Sequence, residues 1–448
     1  MAKKILANIL FFFLLNTVNA QIIFKGSNDT LSEHFQLTVI SQSHSGFGAS
    51  YSGSNSLADS VEVGSSSITA TLFFGKKLWK GTTFYINPEL SGGAGLSYSL
   101  GVAGALNGET YRIGDPQPKV SIARAYLQQT FPIGKTTYVA IDDDVNQVRD
   151  KVPASRLIIS VGKFAISDFY DKNRYSHDPR SQFLNWSLMS NGAWDYPANT
   201  KGYTFGLVAE LIKPTWAIRL SSVAVPKMAN QSGLEYRFMK AYSETFEIEK
   251  GWATNKHPGT IRLLAFHVAS RAPSYSDGIK AIQTNDTHIL HVINGTEEGN
   301  SFGGHKFGLG ISGNQDLTDE IGLFFRAGWN DGTHATWAFT EIDQTVSAGL
   351  SVKGTKWNRP DDVCGIAGVI NGISNDHQAF LKDGGYGFII GDGKLNYGTE
   401  KIVEAYYNLK LTKVFWLSTD YQFVTNPGYN KDRSGPIHVF GIRGHIQF

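Results

Sequence analysis

The chain has 448 residues, with 48 Gly, 28 Phe, 19 Tyr and 9 Trp against 4 Met and 1 Cys, a balance that favours strands and turns over helices. A net charge of +2 with no Lys/Arg run removes the electrostatic case for a nucleic-acid partner, and the lone Cys364 excludes an intramolecular disulfide or a cysteine zinc site. A mean hydropathy of −0.19 rules out a helical membrane protein but not a membrane barrel, whose strands average polar against apolar residues.

The N-terminus reads as an export address. Lys3 and Lys4 precede an apolar run from Ile5 to Leu15, and Val18-Asn19-Ala20 resembles a small-x-small cleavage site. The run is too short to span a bilayer core of about 30 Å as a helix. Residues 1–20 are therefore read as a signal peptide cleaved after Ala20, with the mature chain starting at Gln21. The mature sequence holds no stretch of about 18 apolar residues, so it is either secreted or crosses a membrane as a barrel.

Alternating segments then recur along the chain. Ile68, Ala70, Leu72 and Phe74 share one face, with Thr69 and Thr71 on the other. Phe84, Ile86, Pro88 and Leu90 oppose Tyr85, Asn87 and Glu89, and Ala125 and Leu127 oppose Arg124, Tyr126 and Gln128. Tyr203, Phe205, Leu207, Ala209 and Leu211 alternate with Thr204, Gly206, Val208 and Glu210, and Trp216, Ile218 and Leu220 with Ala217, Arg219 and Ser221. Ile321 to Trp329 alternates around Arg326, Val346 to Val352 around small residues, and Phe415 to Phe423 around Asp420. The polar face carries Gly, Ser, Thr and isolated charges. The other face is aliphatic, with aromatics near strand ends (Tyr203, Trp216, Trp329, Phe423). That distribution suits a lipid-facing band around a polar lumen, and backbone pairing in lipid requires the sheet to close.

One region breaks the rhythm. Residues 167–201 show no strand pattern and are dense in Trp, Tyr, Asn, Asp and Arg. Structureless loops this long tend to be functional, and this one is expected to fold inward and narrow the lumen. Trp186 and Trp194 are the candidates for stacking on sugar rings, Arg180 and Asp195 for hydrogen-bonding hydroxyls, and Asn185 and Asn191 for assisting them. The plainer alternative is that both tryptophans pin the loop to the wall.

At the C-terminus Phe440, Ile442, Ile446 and Phe448 face one way, and Val439, Gly441, Arg443, His445 and Gln447 the other. A last strand closing on an aromatic residue looks like the assembly signal of outer-membrane barrels, which assigns that role to Phe448. Other motifs carry less. Gly308 to Gly313 fits GxGxxG but runs into a turn, not a helix. Gly101 to Gly108 lacks the Lys-Ser/Thr of a phosphate loop. His288 and His291 lack a third ligand, and Asp142-Asp143-Asp144 lacks calcium-loop spacing and reads as a solvated turn. No GxSxG or HExxH occurs, and no metal or cofactor is expected.

Longer stretches carry a resemblance. GKFAISDFYDKNRYSHDPRSQFLNWSLMSNGAWDYPANTKGYTFG (162–206), LWKGTTFYINPELSGGAGLS (78–97), ARAYLQQTF (123–131), GWNDGTHATWAFTEID (328–343), KWNRPDDVCGIAGVINGISNDHQAFL (356–381) and residues 387–433 resemble the OprB-type carbohydrate-selective porin family. Residues 226–300 match it weakly. The resemblance implies a monomeric, closed antiparallel β-barrel of about 16 strands with a sugar-permeable channel narrowed by charged and aromatic side chains.

The expectation is a passive outer-membrane porin for mono- and small oligosaccharides, not an enzyme, with no cofactor. Its pore would be lined by Glu89, Arg124, Glu210, Arg219, Arg326, Asp420 and Arg443. Small sugars, outer-membrane lipid and the barrel-assembly machinery are the expected partners. Rival readings are a barrel enzyme, for which only scattered Ser and His are on offer, and a secreted β-protein that binds or hydrolyses glycans. Extraction without detergent would favour the last.

Overall fold

The computed structural model describes residues 29–109, 117–254 and 256–448. The signal peptide, its cleavage after Ala20 and the new N-terminus at Gln21 lie outside the described residues.

Strands β1 (Leu31–His44), β2 (Glu62–Trp79), β3 (Thr82–Gly93) and β4 (Lys119–Pro132) open the sheet. A side hairpin follows, β5 (Tyr138–Ile141) and β6 (Asp150–Pro153). The sheet resumes with β7 (Arg156–Phe164), β8 (Thr204–Lys213), β9 (Trp216–Val223), β10 (Tyr242–Thr254) and β11 (His257–Ser270). It continues through β12 (Gly304–Asp316), β13 (Ile321–Asn330), β14 (Gln344–Gly354) and β15 (Arg359–Gly372). Strands β16 (Glu400–Lys410), β17 (Phe415–Thr425) and β18 (Ile437–Gln447) complete it. All strands except β5 and β6 form one closed antiparallel barrel of 16 strands, sealed where β1 pairs with β18. The weakly matching region around 226–300 supplies β10 and β11 and two helices, Tyr275–Thr284 and Thr287–Ile293.

The period-two pattern sets the faces. Thr69 and Thr71 are buried inside, as are Glu210 and Arg219, Arg326, Asp420 and Arg443. The alternate positions point out and stay uncovered: Leu309 is 59% exposed, Val346 62% and Ile442 59%. An apolar belt of this extent fits lipid, and closure leaves no unpaired edge in it. Tyr203 departs from the sequence expectation of an outer aromatic. It precedes β8, turns inward and is buried, with its hydroxyl donating to Glu89 at 2.8 Å.

The two ends differ. At one end strands reverse in short turns such as Lys80-Gly81, where Gly81 adopts φ +77°, and Pro214-Thr215. At the other end, long segments leave the strands. Several of them fold back into the barrel, chiefly 94–109, 165–203, 331–343 and 373–399. The exception at the short-turn end is the β5–β6 hairpin. The acidic run before its tip is not simply solvated, because Asp143 sits 3.3 Å from His34 Nε2 on the barrel wall.

Candidate channel and its lining

A chain segment inside a barrel must find partners for its backbone amides and carbonyls. Here inward-facing charged side chains of the wall supply many of them. Arg326 on β13 donates its Nε to both Asp171 oxygens, at 2.9 and 3.0 Å, and its Nη1 to Leu188 O at 2.7 Å. Arg443 on β18 donates to Pro179 O (2.6 Å) and Gln182 O (2.7 Å). Glu404 on β16 accepts from Leu184 N and Asn185 N, and Glu247 on β10 accepts from Asp171 N at 2.8 Å. The 165–203 segment thus touches walls from β10 round to β18, as expected of an inward constriction.

A second inward segment, 94–109, escaped the sequence reading. Glu400 accepts from Ala103 N (2.9 Å) and Gly104 N (2.8 Å), while Gln42 and Gln422 both donate to Leu106 O. The signal was there in Gly104 and Gly108. A Cβ at Gly104 would lie 2.7 Å from Ser187 Oγ, and one at Gly108 would lie 2.5 Å from Met189 Sδ. Small residues let this segment lie against 185–189, the reason for a Gly-rich run that is no phosphate loop.

Above these contacts the long-loop end has a packed aromatic core. Trp194 is 1% exposed and meets Tyr170 edge-on with centroids 6.0 Å apart. Trp186 lies 4.1 Å from Phe339, which stacks on Tyr196 at 4.8 Å. Asp195 accepts from three consecutive amides, Trp337 N, Ala338 N and Phe339 N, at 2.8–2.9 Å. Glu341 likewise accepts from Ile389 N and Ile390 N.

Toward the short-turn end the lumen opens into a cavity of about 920 Å³. Register builds its charge pattern. Glu210 faces Arg219 across β8–β9, and Arg219 faces Glu247 across β9–β10. Arg219 Nε accordingly bonds Glu210 at 2.9 Å, and its Nη1 reaches Glu247 (2.9 Å) and Glu249 (3.2 Å). Glu249 also accepts from Arg262 at 2.8 Å. On the facing side Arg124 forks onto Asp168 at 2.6 and 2.7 Å, with its guanidinium 5.4 Å over the Tyr203 ring. Arg180 bonds Glu109 at 3.1 Å. Burial alone would raise the Asp168 carboxyl, but the Arg124 charge and hydrogen bonds hold it below the usual carboxylate range. Burial raises Glu109 despite Arg180. Tyr85, stacked on Tyr126 at 5.0 Å, and Trp186 add aromatic surface to the lining.

The candidate residues therefore divide. Arg124, Arg180, Trp186, Glu210 and Arg219 line the cavity. Trp194, Asp195, Asn185 and Asn191, the other expected sugar contacts, are buried behind it and do not line it. Trp194 is enclosed by rings, Asp195 is saturated by backbone amides, Asn185 caps the turn at Ser187 N, and Asn191 Nδ2 donates to Ala327 O. Arg326 and Arg443 face inward as expected but are covered by loop carbonyls rather than open to the lumen. Glu89 is held by Thr71 and Tyr203, and Asp420 is buried beside Gln422. Sequence reasoning missed Asp168, Glu109, Glu247, Glu249 and Arg262. The last three were visible as inward positions of alternating segments, Thr245-x-Glu247-x-Glu249 and Arg262-x-Leu264-x-Phe266. Among the described residues no group of three or more His, Cys, Asp or Glu is placed to hold a metal.

The family model described as "Carbohydrate-selective porin, OprB family" matches residues 75–448. Among solved structures, the high-pH structure of Pseudomonas putida OprB is similar at 15% identity, covering 97% of each chain with a TM-score of 0.69. Salmonella typhi OmpF in complex with daunomycin is similar at 11% identity, covering 94% of this chain and 99% of that one, with a TM-score of 0.50. At these identities the likeness is one of fold. No curated protein sequence matches.

Proposed function

This chain belongs to the carbohydrate-selective porin, OprB family, and from that premise we propose that it passes mono- and small oligosaccharides through the outer membrane by passive diffusion. The family is one of Gram-negative outer-membrane channels, so the long loops face outward and the short turns face the periplasm. The reading includes export by a signal peptide cleaved after Ala20, a monomeric barrel, and Phe448 as the signal to the assembly machinery.

One observation carries the sugar preference: the ring of paired charges and aromatic faces around the 920 Å³ cavity. Arg124–Asp168 and Arg219, shared between Glu210 and Glu247, present donors and acceptors in fixed, ion-paired arrays. Such arrays hold their groups in place to trade hydrogen bonds with hydroxyls. Trp186, Tyr126 and Tyr203, though largely buried, reach the cavity with part of their rings and supply aromatic surface for the apolar side of a sugar ring. Every array is already paired, so a sugar is held weakly and can leave, as conduction requires. No cofactor takes part.

Liposome swelling tests this with glucose, maltose-sized sugars and a size-matched polyol. Sugar influx should exceed polyol influx at equal size. Equal rates would remove the sugar preference, and no swelling at all would remove the channel.

A further inference from the structure

The β5–β6 hairpin stands apart from the barrel wall and from the loops that fill its outer half. It leaves the sheet after Pro132 at the short-turn end, where a two-residue turn would suffice, and rejoins it at Arg156. It does not hang free. Its tip is a tight turn closed by Asp144 N to Gln147 O (3.0 Å) and Gln147 N to Asp144 O (2.9 Å), with Asn146 at φ +54°. That left-handed conformation is one Asn accepts more readily than most residues.

The tip is docked inside the mouth. Asn87 Nδ2, on the inner face of β3, donates to Asn146 Oδ1 at 2.9 Å. Val148 is buried in the same cluster as Tyr85 and Tyr126. Further out, His34 meets Asp143 at 3.3 Å and Lys77 meets Asp150 at 3.1 Å. The hairpin's Ile141, Asp144, Val145, Asn146 and Gln147 border the same cavity as Arg124 and Asp168.

We propose that this docked hairpin is a second, periplasmic-side selectivity element that narrows the exit of the channel and presents the Asn146 amide to the hydroxyls of a departing sugar. The proposal rests on the channel reading above. The 165–203 and 94–109 segments set what enters the lumen; the hairpin sets the size and polarity of what leaves it. Its oxygen already engaged by Asn87, Asn146 has its amide hydrogens left for a solute, a contact that orients without trapping.

The hairpin base allows a clean excision. Ala154 N donates to Thr137 O at 2.8 Å and Ile133 N to Ser155 O at 3.0 Å, so residues 138–153 can be replaced by Asn-Gly without moving β4 or β7. The full-length barrel and this deletion are compared by single-channel conductance and by liposome swelling with mono-, di- and trisaccharides. Folding is scored by heat-modifiable gel mobility. The deletion should conduct more and admit the trisaccharide at a larger fraction of the monosaccharide rate. Asn146→Trp, which adds bulk at the tip, should shift both readings the other way. A folded deletion with unchanged conductance and size dependence overturns the proposal, as does Asn146→Trp with unchanged flux if the deletion fails to assemble. A purely structural hairpin would lower heat resistance in both variants and leave the size dependence alone. Absence of swelling by the unaltered protein would instead remove the channel reading itself.

Discussion

The outer half of this barrel is filled like the interior of a globular domain, whereas the inner half is hollow and charged. In the first, Trp194, Trp337, Tyr275, Phe380 and Tyr429 are packed out of reach of solvent. In the second, arginines and carboxylates surround a cavity of about 920 Å³. Both halves draw on the same inward face of the same strands. Arg219 is the fourth residue of β9 and Arg326 the sixth of β13, both counted from the short-turn end; the deeper one is covered by loop carbonyls and the other borders the cavity. What surrounds an inward charge differs between the two: backbone makes one a fastener, and the other is left beside open space.

The largest test of that division is Arg326→Ala. It strands Asp171 without its partner in a buried site, a loss of about 3–5 kcal/mol for pairs of this kind. The unfolding temperature on heat-modifiability gels should drop sharply, and conductance should rise and become noisy as the 165–203 segment loosens. An unchanged transition would break the fastener assignment.

Next comes a pair of tryptophans. Trp194→Ala removes a fully buried ring, at a cost of about 3–5 kcal/mol, and should change glucose and polyol influx in parallel. Trp186→Ala removes a ring that borders the cavity, so it should reduce glucose influx more than polyol influx. The opposite assignment of the two patterns would invert the comparison.

Arg124→Ala should affect stability less and selectivity more. It leaves Asp168 facing the cavity uncompensated, so reversal potentials in a KCl gradient should move toward cation preference. The same pair has a pH signature. Because the folded carboxyl lies below its ordinary range, its stabilisation is present above that range and lost as pH falls through the lowered folded value. The stability difference between the native protein and Asp168→Asn should be flat from neutrality to about pH 5 and shrink below about pH 4. A difference that grows on acidification would reverse the sign. The smallest effect belongs to Lys213→Ala at the end of β8, beside the β8–β9 turn, within about 0.5 kcal/mol and without change in conductance.

Much of the barrel was legible because a strand's faces follow from its own alternation. Glu210 and Arg219 could be placed inward from sequence, and their register then brings them together. The 165–203 segment was legible as an interruption. Which of its residues meet the lumen was not. Trp186 and Trp194 are eight positions apart in a segment with no period, and only the tertiary path puts one beside the cavity and the other beneath Tyr170. Tyr203 was misread for a related reason. It sits one residue before β8, where the alternation no longer constrains it. The Asp142–Asp144 run looked like solvent-facing turn because its partner, His34, lies more than a hundred positions earlier.

The seam between β1 and β18 says something about the order in which the chain can fold. Gln36 Nε2 donates to Gln447 Oε1 at 3.1 Å across 411 positions of sequence, and Thr38 meets His445 at 2.9 Å across 407. Bringing such distant points together in a free chain would cost roughly 5 kcal/mol of loop-closure entropy. Every other neighbouring pair of barrel strands follows in sequence, apart from the hairpin between β4 and β7, so each can form by local search. The ends then meet as the edges of a nearly finished cylinder, and the long closure is reached through a series of short ones. Folding by this route is a ratchet, and the seam is its last tooth.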